Sequence, residues 1–220
     1  MRNKWDKAIE YIRNHKEIRD VLLSGGDCLS LEDNLIEYLL KNIRTIEHVE
    51  IIRLGTKVPI VLPMRITTKL VKMLNKYHSL YVNVHATHPD EITPEVKEAC
   101  SKLAKSGIPL GSQTVLLKDV NDNIDIMKRL MHELLKIRVR PYYIYSCDHV
   151  VGTSHFRVPI ERGLEIIRML QGNTSGLAIP KFIVDSHLGK IDVEPNNIVS
   201  HENNTYKLVS FTGEILTYDE

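Results

Sequence analysis

At 220 residues the chain suits one domain, or one domain with an appendage. Its 29 basic side chains almost balance 28 acidic ones, leaving a formal net charge of +1, so charge gives no argument for nucleic acid or an anionic membrane surface as a partner. Hydrophobic residues make up 43% and charged residues 26%, as in ordinary soluble proteins, and no apolar run reaches bilayer length.

Two textures alternate along the chain. Residues 5–17 carry Trp5, Ala8, Ile9 and Ile12 at helical spacing, and Val21-Leu22-Leu23 then reads as a short buried strand. Ser24-Gly25-Gly26-Asp27 ends that strand. A helix is expected over 32–44 with Leu35, Leu39, Leu40 and Ile43 on its apolar face, followed by a strand at 49–54. Thr67 or Thr68 caps a helix to about Tyr77, and 80–85 forms the next strand. Thr93-Pro94 is an N-cap followed by proline at the first helical position, and Gly107 suits the position just past that helix. Strand 109–117, helix 122–136 and strand 138–146 continue the series. Strands separated by helices of this length specify parallel βαβ units. Beyond about Gly152 come a helix at 159–171, a strand at 182–184, a Gly-Lys loop at 189–190, and antiparallel strands near 197–200, 206–211 and 215–218. The expected division is therefore a β/α portion at 1–151 and a C-terminal segment at 152–220.

Whether such strands close toward a barrel or open into a doubly wound sheet, ligands sit at their C-terminal ends. Polar residues gather there. The two glycines of Ser24–Asp27 tolerate positive φ and let a ligand approach the backbone, although a plain strand-to-helix turn uses the same residues. His85 and Gln113 read as rim residues of neighbouring strands, or as satisfied core polar groups. Tyr142, Tyr143 and Tyr145 can stack on a flat ring or simply pack, and Asp148 just beyond them can pair with a cationic group. Lys190, beside Gly189, can form an imine with an aldehyde such as pyridoxal phosphate (PLP), or stand as a solvated surface lysine. Cys28, Cys100 and Cys147 are far apart and show neither CxxC nor CxxxCxxC spacing, so they read as free thiols with no metal ligand among them.

Taken together, DVLLSGGD (20–27), EHVEIIRLGT (47–56), PLGSQTVLL (109–117), KIRVRPYYIYSCD (136–148), His155-Phe156-Arg157 and Thr174-Ser175-Gly176 closely resemble the lysine 2,3-aminomutase family of radical S-adenosylmethionine (SAM) enzymes. The resemblance runs from about Lys7 to Tyr218. It implies an α/β fold, a partial (β/α) barrel of the radical SAM type with a C-terminal β-rich appendage. It implies PLP, SAM and a [4Fe–4S] cluster as cofactors, and migration of the α-amino group of L-lysine to the β carbon. Matched position by position, Ser24, Gly25, Gly26, Asp27, His85 and Gln113 fall on SAM-side contacts. Lys190 falls on the lysine that joins PLP, Tyr145 on the tyrosine near the cofactor ring, and Asp148 and Asp185 on the carboxylates that hold the ε-ammonium. The family's CxxxCxxC loop and the basic residues for the PLP phosphate precede the position of Trp5, and none of the three cysteines matches a cluster position. The expectation is thus an incomplete chain without autonomous activity, cytoplasmic and homo-oligomeric, with a small amino acid as its partner rather than nucleic acid or membrane. The alternative is a non-catalytic remnant, or a PLP- or SAM-binding module that needs a cluster-bearing partner chain.

Overall fold

The structure, a computed structural model, describes residues 2–220. Its helices are α1 (Arg2–Asn14), α2 (Asp33–Arg44), α3 (Val58–Val61), α4 (Thr68–Leu74), α5 (Pro94–Lys105), α6 (Ile124–Lys136) and α7 (Ile160–Leu170). Its strands are β1 (Asp20–Leu23), β2 (Ile51–Thr56), β3 (Leu80–His85), β4 (Leu110–Val115), β5 (Val139–Tyr145), β6 (Lys181–Ser186), β7 (Gly189–Asp192), β8 (Ile198–Glu202), β9 (Thr205–Val209) and β10 (Ile215–Asp219). Strands β1 to β7 follow one another in chain order in a seven-stranded sheet, and β8–β10 form a separate three-stranded sheet. The pairs β1–β2, β2–β3 and β5–β6 are parallel, whereas β7 runs antiparallel to β6.

Two compact units divide the chain. The first comprises Met1–His85, Thr93–Gly111 and Ile137–Val139; the second comprises Ala86–Ile92, Ser112–Lys136 and Arg140–Glu220. The units are interleaved along the sequence.

In the first unit, Ile52, Leu54, Val82 and Val84 of β2 and β3 are fully buried, as strands covered on both faces require. Ile36, Leu40, Ile43, Leu70, Leu74 and Leu103 on α2, α4 and α5 complete this core. Each such side chain contributes roughly 1.5–3 kcal/mol of burial. On α2 the buried set is Ile36, Leu39, Leu40 and Ile43, so Ile36 takes the place expected for Leu35. Spacing of i, i+4, i+7 fits Ile36, and Leu35 lies one residue off that stripe. The Thr67 side chain accepts from Leu70 N, and Thr93 from Val96 N, fixing the starts of α4 and α5. Gly107, at φ +87, turns the chain out of α5. Register sets Leu23 level with Leu54 and Leu54 level with Val82. Ser24–Asp27, Thr56 and His85 therefore gather at the C-terminal end of these strands.

In the second unit, β6 is the central feature. Phe182, Ile183 and Val184 are buried, and β5 and β7 flank them. Helix α7 crosses β6 so closely that a Cβ at Gly163 would lie 2.3 Å from the Phe182 ring. Only glycine fits there. Asn121, fully buried, donates to Thr87 O and Val115 O and accepts from Leu117 N, which ties down the loop after β4. The Glu220 carboxylate accepts from Ile160 N at 2.6 Å and so caps α7 from the C-terminal end of the chain. The β8–β9 turn at Asn203-Asn204 is a hairpin, with Asn203 at φ +54.

Candidate active site

The first cluster lies wholly in the first unit. Gly25 and Gly26 adopt φ +87 and +70, which L side chains rarely do, and a Cβ on either would meet nothing within 4 Å. The backbone conformation, not crowding, demands glycine. Asp27 accepts from Leu29 N at 3.0 Å, the Thr56 hydroxyl at 2.6 Å, Lys57 N at 2.6 Å and Val58 N at 3.2 Å. It thus caps both the 3-10 turn Cys28–Ser30 and the start of α3, and its carboxylate is occupied within the protein. A pocket of about 440 Å³ opens against this loop, walled by Trp5, Ile9 and Leu22 and rimmed by Ser24, Gly25 and Asp27. His85 ends β3, as expected. Burial pushes its pKa below the usual histidine value; Asp27 opposes this and Lys57 assists it, so a neutral imidazole is favoured.

The second cluster lies wholly in the second unit. Gln113 sits inside β4 rather than at its end, and its side-chain oxygen accepts from the Tyr142 hydroxyl at 3.0 Å. Tyr143 and Tyr145, two residues apart on β5, meet edge to face at 5.6 Å. Lys190 does not stand on a loop. It lies in β7, where the register sets it directly opposite Asp185 of β6. Gly189, at φ +90, closes the two-residue turn His187-Leu188, and pairing resumes at Gly189 itself. The Lys190 ammonium donates to Asp185 Oδ2 at 2.8 Å and stands 5.1 Å from the centre of the Tyr145 ring. Both partners of that ion pair are about half exposed, with 48% and 42% of their side-chain surfaces open to solvent. Burial works to lower the Lys190 pKa, but the hydrogen bond to Asp185 and the charges of Tyr145 and Asp185 outweigh it and the net shift is upward. Burial raises the Tyr145 hydroxyl above its usual value, while Lys190 pulls it back.

Asp148 and Asp185, far apart in sequence, line one pocket of about 280 Å³ together with His149, His187, Tyr218 and Asp219. Sequence reasoning missed the last four. Tyr218 and Asp219 reach the pocket only through the pairing of β10 with β9, which no local pattern marks as functional. Burial, with Arg157 assisting, lowers the His149 pKa, and the ring packs 4.9 Å from that of Tyr218.

The residues present fit PLP and SAM but not an iron–sulfur cluster. Lys190 is a solvent-accessible amine beside an aromatic ring, and the Gly25-Gly26 turn leaves open space above its backbone. Cys28, Cys100 and Cys147 are buried free thiols, and burial lifts Cys28 and Cys100 to about 12, away from the thiolate form that iron needs. Among the described residues no group of three or more His, Cys, Asp or Glu side chains is arranged to hold a metal ion.

The family model described as lysine-2,3-aminomutase matches residues 167–220. An L-lysine 2,3-aminomutase of Acetoanaerobium sticklandii is 54% identical over 217 residues, which is 98% of this chain and 52% of that one. Over nearly its whole length the chain is similar to lysine 2,3-aminomutases. A glutamate 2,3-aminomutase of Clostridioides difficile is 46% identical over 216 residues, 97% of this chain and 51% of that one. The chain spans about half the length of the curated relatives it matches. Among solved structures, a radical SAM methyltransferase from Sphaerobacter thermophilus superposes with a TM-score of 0.55 at 14% identity, covering 76% of this chain and 51% of that one. That likeness concerns the fold alone.

Proposed function

We propose that this chain is the substrate- and cofactor-holding portion of an enzyme that moves the α-amino group of L-lysine to the β carbon. The observation that carries the reading is the pocket shared by Asp148 and Asp185, with Lys190 facing Asp185 across the β6–β7 hairpin. Paired carboxylates recompense an ammonium for lost hydration, whereas a second carboxylate brought to them, as from glutamate, would be repelled. The substrate class is therefore a cationic amino acid. Lys190 is the amine that joins PLP covalently, and the ring of Tyr145 lies beside it to stack against the cofactor. When bound, PLP supplies an electron-delocalising ring and SAM a source of a carbon radical. On the other cluster, the Ser24–Asp27 turn offers backbone N–H groups to a carboxylate, with Asp27 holding the turn in shape. On that cluster neutral His85 serves as a hydrogen-bonding group for the same ligand, SAM. The reading extends to a homo-oligomer located in the cytoplasm; no helix among the described residues is long and apolar enough to cross a membrane.

A chimera tests it. These 220 residues replace the matching half of the Acetoanaerobium sticklandii relative, and the product is supplied with iron, sulfide, SAM, PLP and a reductant. Conversion of L-lysine to β-lysine is expected. Turnover of L-glutamate in place of L-lysine would show that the two aspartates do not set the substrate.

A further inference from the structure

Asp185 has two potential partners and one carboxylate. In the ligand-free chain it holds the ammonium of Lys190 at 2.8 Å. The contact is built into the hairpin: Asp185 and Lys190 are register partners on β6 and β7, and the turn between them is fixed by Ser186 Oγ, which donates to Gly189 O and accepts from Leu188 N. Side chains opposite one another on paired strands lie close enough to meet without reorganisation. The other groups facing Lys190 come from β5. They are the Tyr145 ring, 5.1 Å away, and behind it Tyr143, which packs on the edge of Tyr145. Asp185 also opens onto the pocket that holds Asp148.

We propose that Asp185 holds Lys190 as an ammonium until the cofactor takes it up and that its carboxylate serves two amines in turn. It first holds the chain's own lysine over Tyr145, and it receives the substrate ammonium only after Lys190 has been taken up by an aldehyde. This rests on the proposed role of Lys190 and adds an order of assembly to it. The Lys190 ammonium gives one proton to solvent, its nitrogen attacks the aldehyde carbon, and a carbon–nitrogen double bond forms as the carbonyl oxygen leaves as water. No oxidant or reductant enters. Once that bond exists Lys190 has left Asp185, and the vacated carboxylate joins Asp148 as a cation subsite. An ammonium ligand arriving first has to compete with Lys190 for Asp185.

The hydrogen bond to Asp185 favours the charged form of Lys190, so capture of an aldehyde should need higher pH when Asp185 is present. The test uses pyridoxal phosphate alone with the 220-residue chain, followed by borohydride reduction and peptide mapping across a pH series. Asp185→Asn should lower the midpoint for labelling Lys190 by roughly 0.3–0.7 pH unit, or raise the label at pH 7 about two- to fivefold, the range of a half-exposed ion pair. Asp185→Glu should bring the midpoint back toward that of the unmodified chain, which a merely structural effect of the substitution would not do. If Lys190 is labelled and the midpoint is the same in all three proteins, Asp185 does not hold it as an ammonium and the inference fails while the cofactor assignment stands. If the label falls on other lysines and spares Lys190 throughout, the cofactor assignment fails and the inference falls with it.

Discussion

Asp27 brings four donors from three parts of the first unit to one carboxylate, and two of them are backbone N–H groups at the start of α3. Its replacement by alanine leaves those donors without an acceptor. Asp27→Ala should cost about 2–3 kcal/mol, read as a lower urea midpoint, whereas Ser24→Ala on the same turn should cost far less. An Asp27→Ala protein as stable as the parent would mean that the donors find water instead. His85 gives a pH dependence of definite sign. Its folded pKa lies below 6.5, so the unfolded chain binds the extra proton first as pH falls, and stability is lost below about pH 6.5 until the folded pKa is passed. His149 shifts the same way and adds to the slope. In His85→Gln the urea midpoint should fall less steeply between pH 7 and pH 5 than in the parent. An unchanged slope would assign the whole effect to His149 and the carboxylates. Ser24 to Asp27, His85, Gln113, Tyr145, Asp148, Asp185 and Lys190 are legible in the sequence as candidates, whereas His149, His187, Tyr218 and Asp219 of the second pocket are not. What the sequence could not give was which of them meet: Asp148 and Asp185 are separated by α7, and only the β5–β6 pairing places them on one pocket.

At the scale of elements, most of the alternation was legible because apolar runs, Thr67 and Thr93 caps, Pro94 and Gly107 carry local physical meaning. Two elements escaped. Helix α3 (Val58–Val61) consists of β-branched residues and a proline, and it is started by a carboxylate thirty residues earlier in the chain, so nothing within it announces a helix. Strand β7 is four residues long with a glycine at its head, too short to show alternation, and its partner β6 determines it. The packing of α7 on β6 is a third case where tertiary contact overrides propensity. Alanine is a better helix former than glycine by roughly 1 kcal/mol, yet Gly163→Ala drives a methyl into the Phe182 ring, which is 2% exposed and has nowhere to go. The net effect should be a loss of about 1–3 kcal/mol in chemical denaturation, with partial recovery in the Gly163→Ala/Phe182→Leu double variant. A Gly163→Ala protein more stable than the parent would show that α7 shifts freely across β6.

For the whole molecule, the first unit draws on Met1–His85 and Thr93–Gly111 but is finished by three residues far along the chain, Ile137–Val139. A fragment ending at Gly111 lacks that last piece. It should unfold in urea over a broad range, in contrast to a steep transition for the full chain, both followed by circular dichroism. A sharp transition in the fragment would show that the final three residues are dispensable to the first unit. The interleaving also bears on how the protein is made. The chain passes from one unit to the other after residues 85, 92, 111, 136 and 139. On the ribosome a sequential domain can close as soon as its last residue clears the exit tunnel, so that each finished part shelters its own apolar strands. Here the first unit is not complete until Val139 has emerged, and the buried strands β2 and β3 are synthesised long before the residues that finish their unit. The interval between residue 85 and residue 139 is therefore the stretch of translation in which the nascent chain depends most on chaperones and tolerates pausing least.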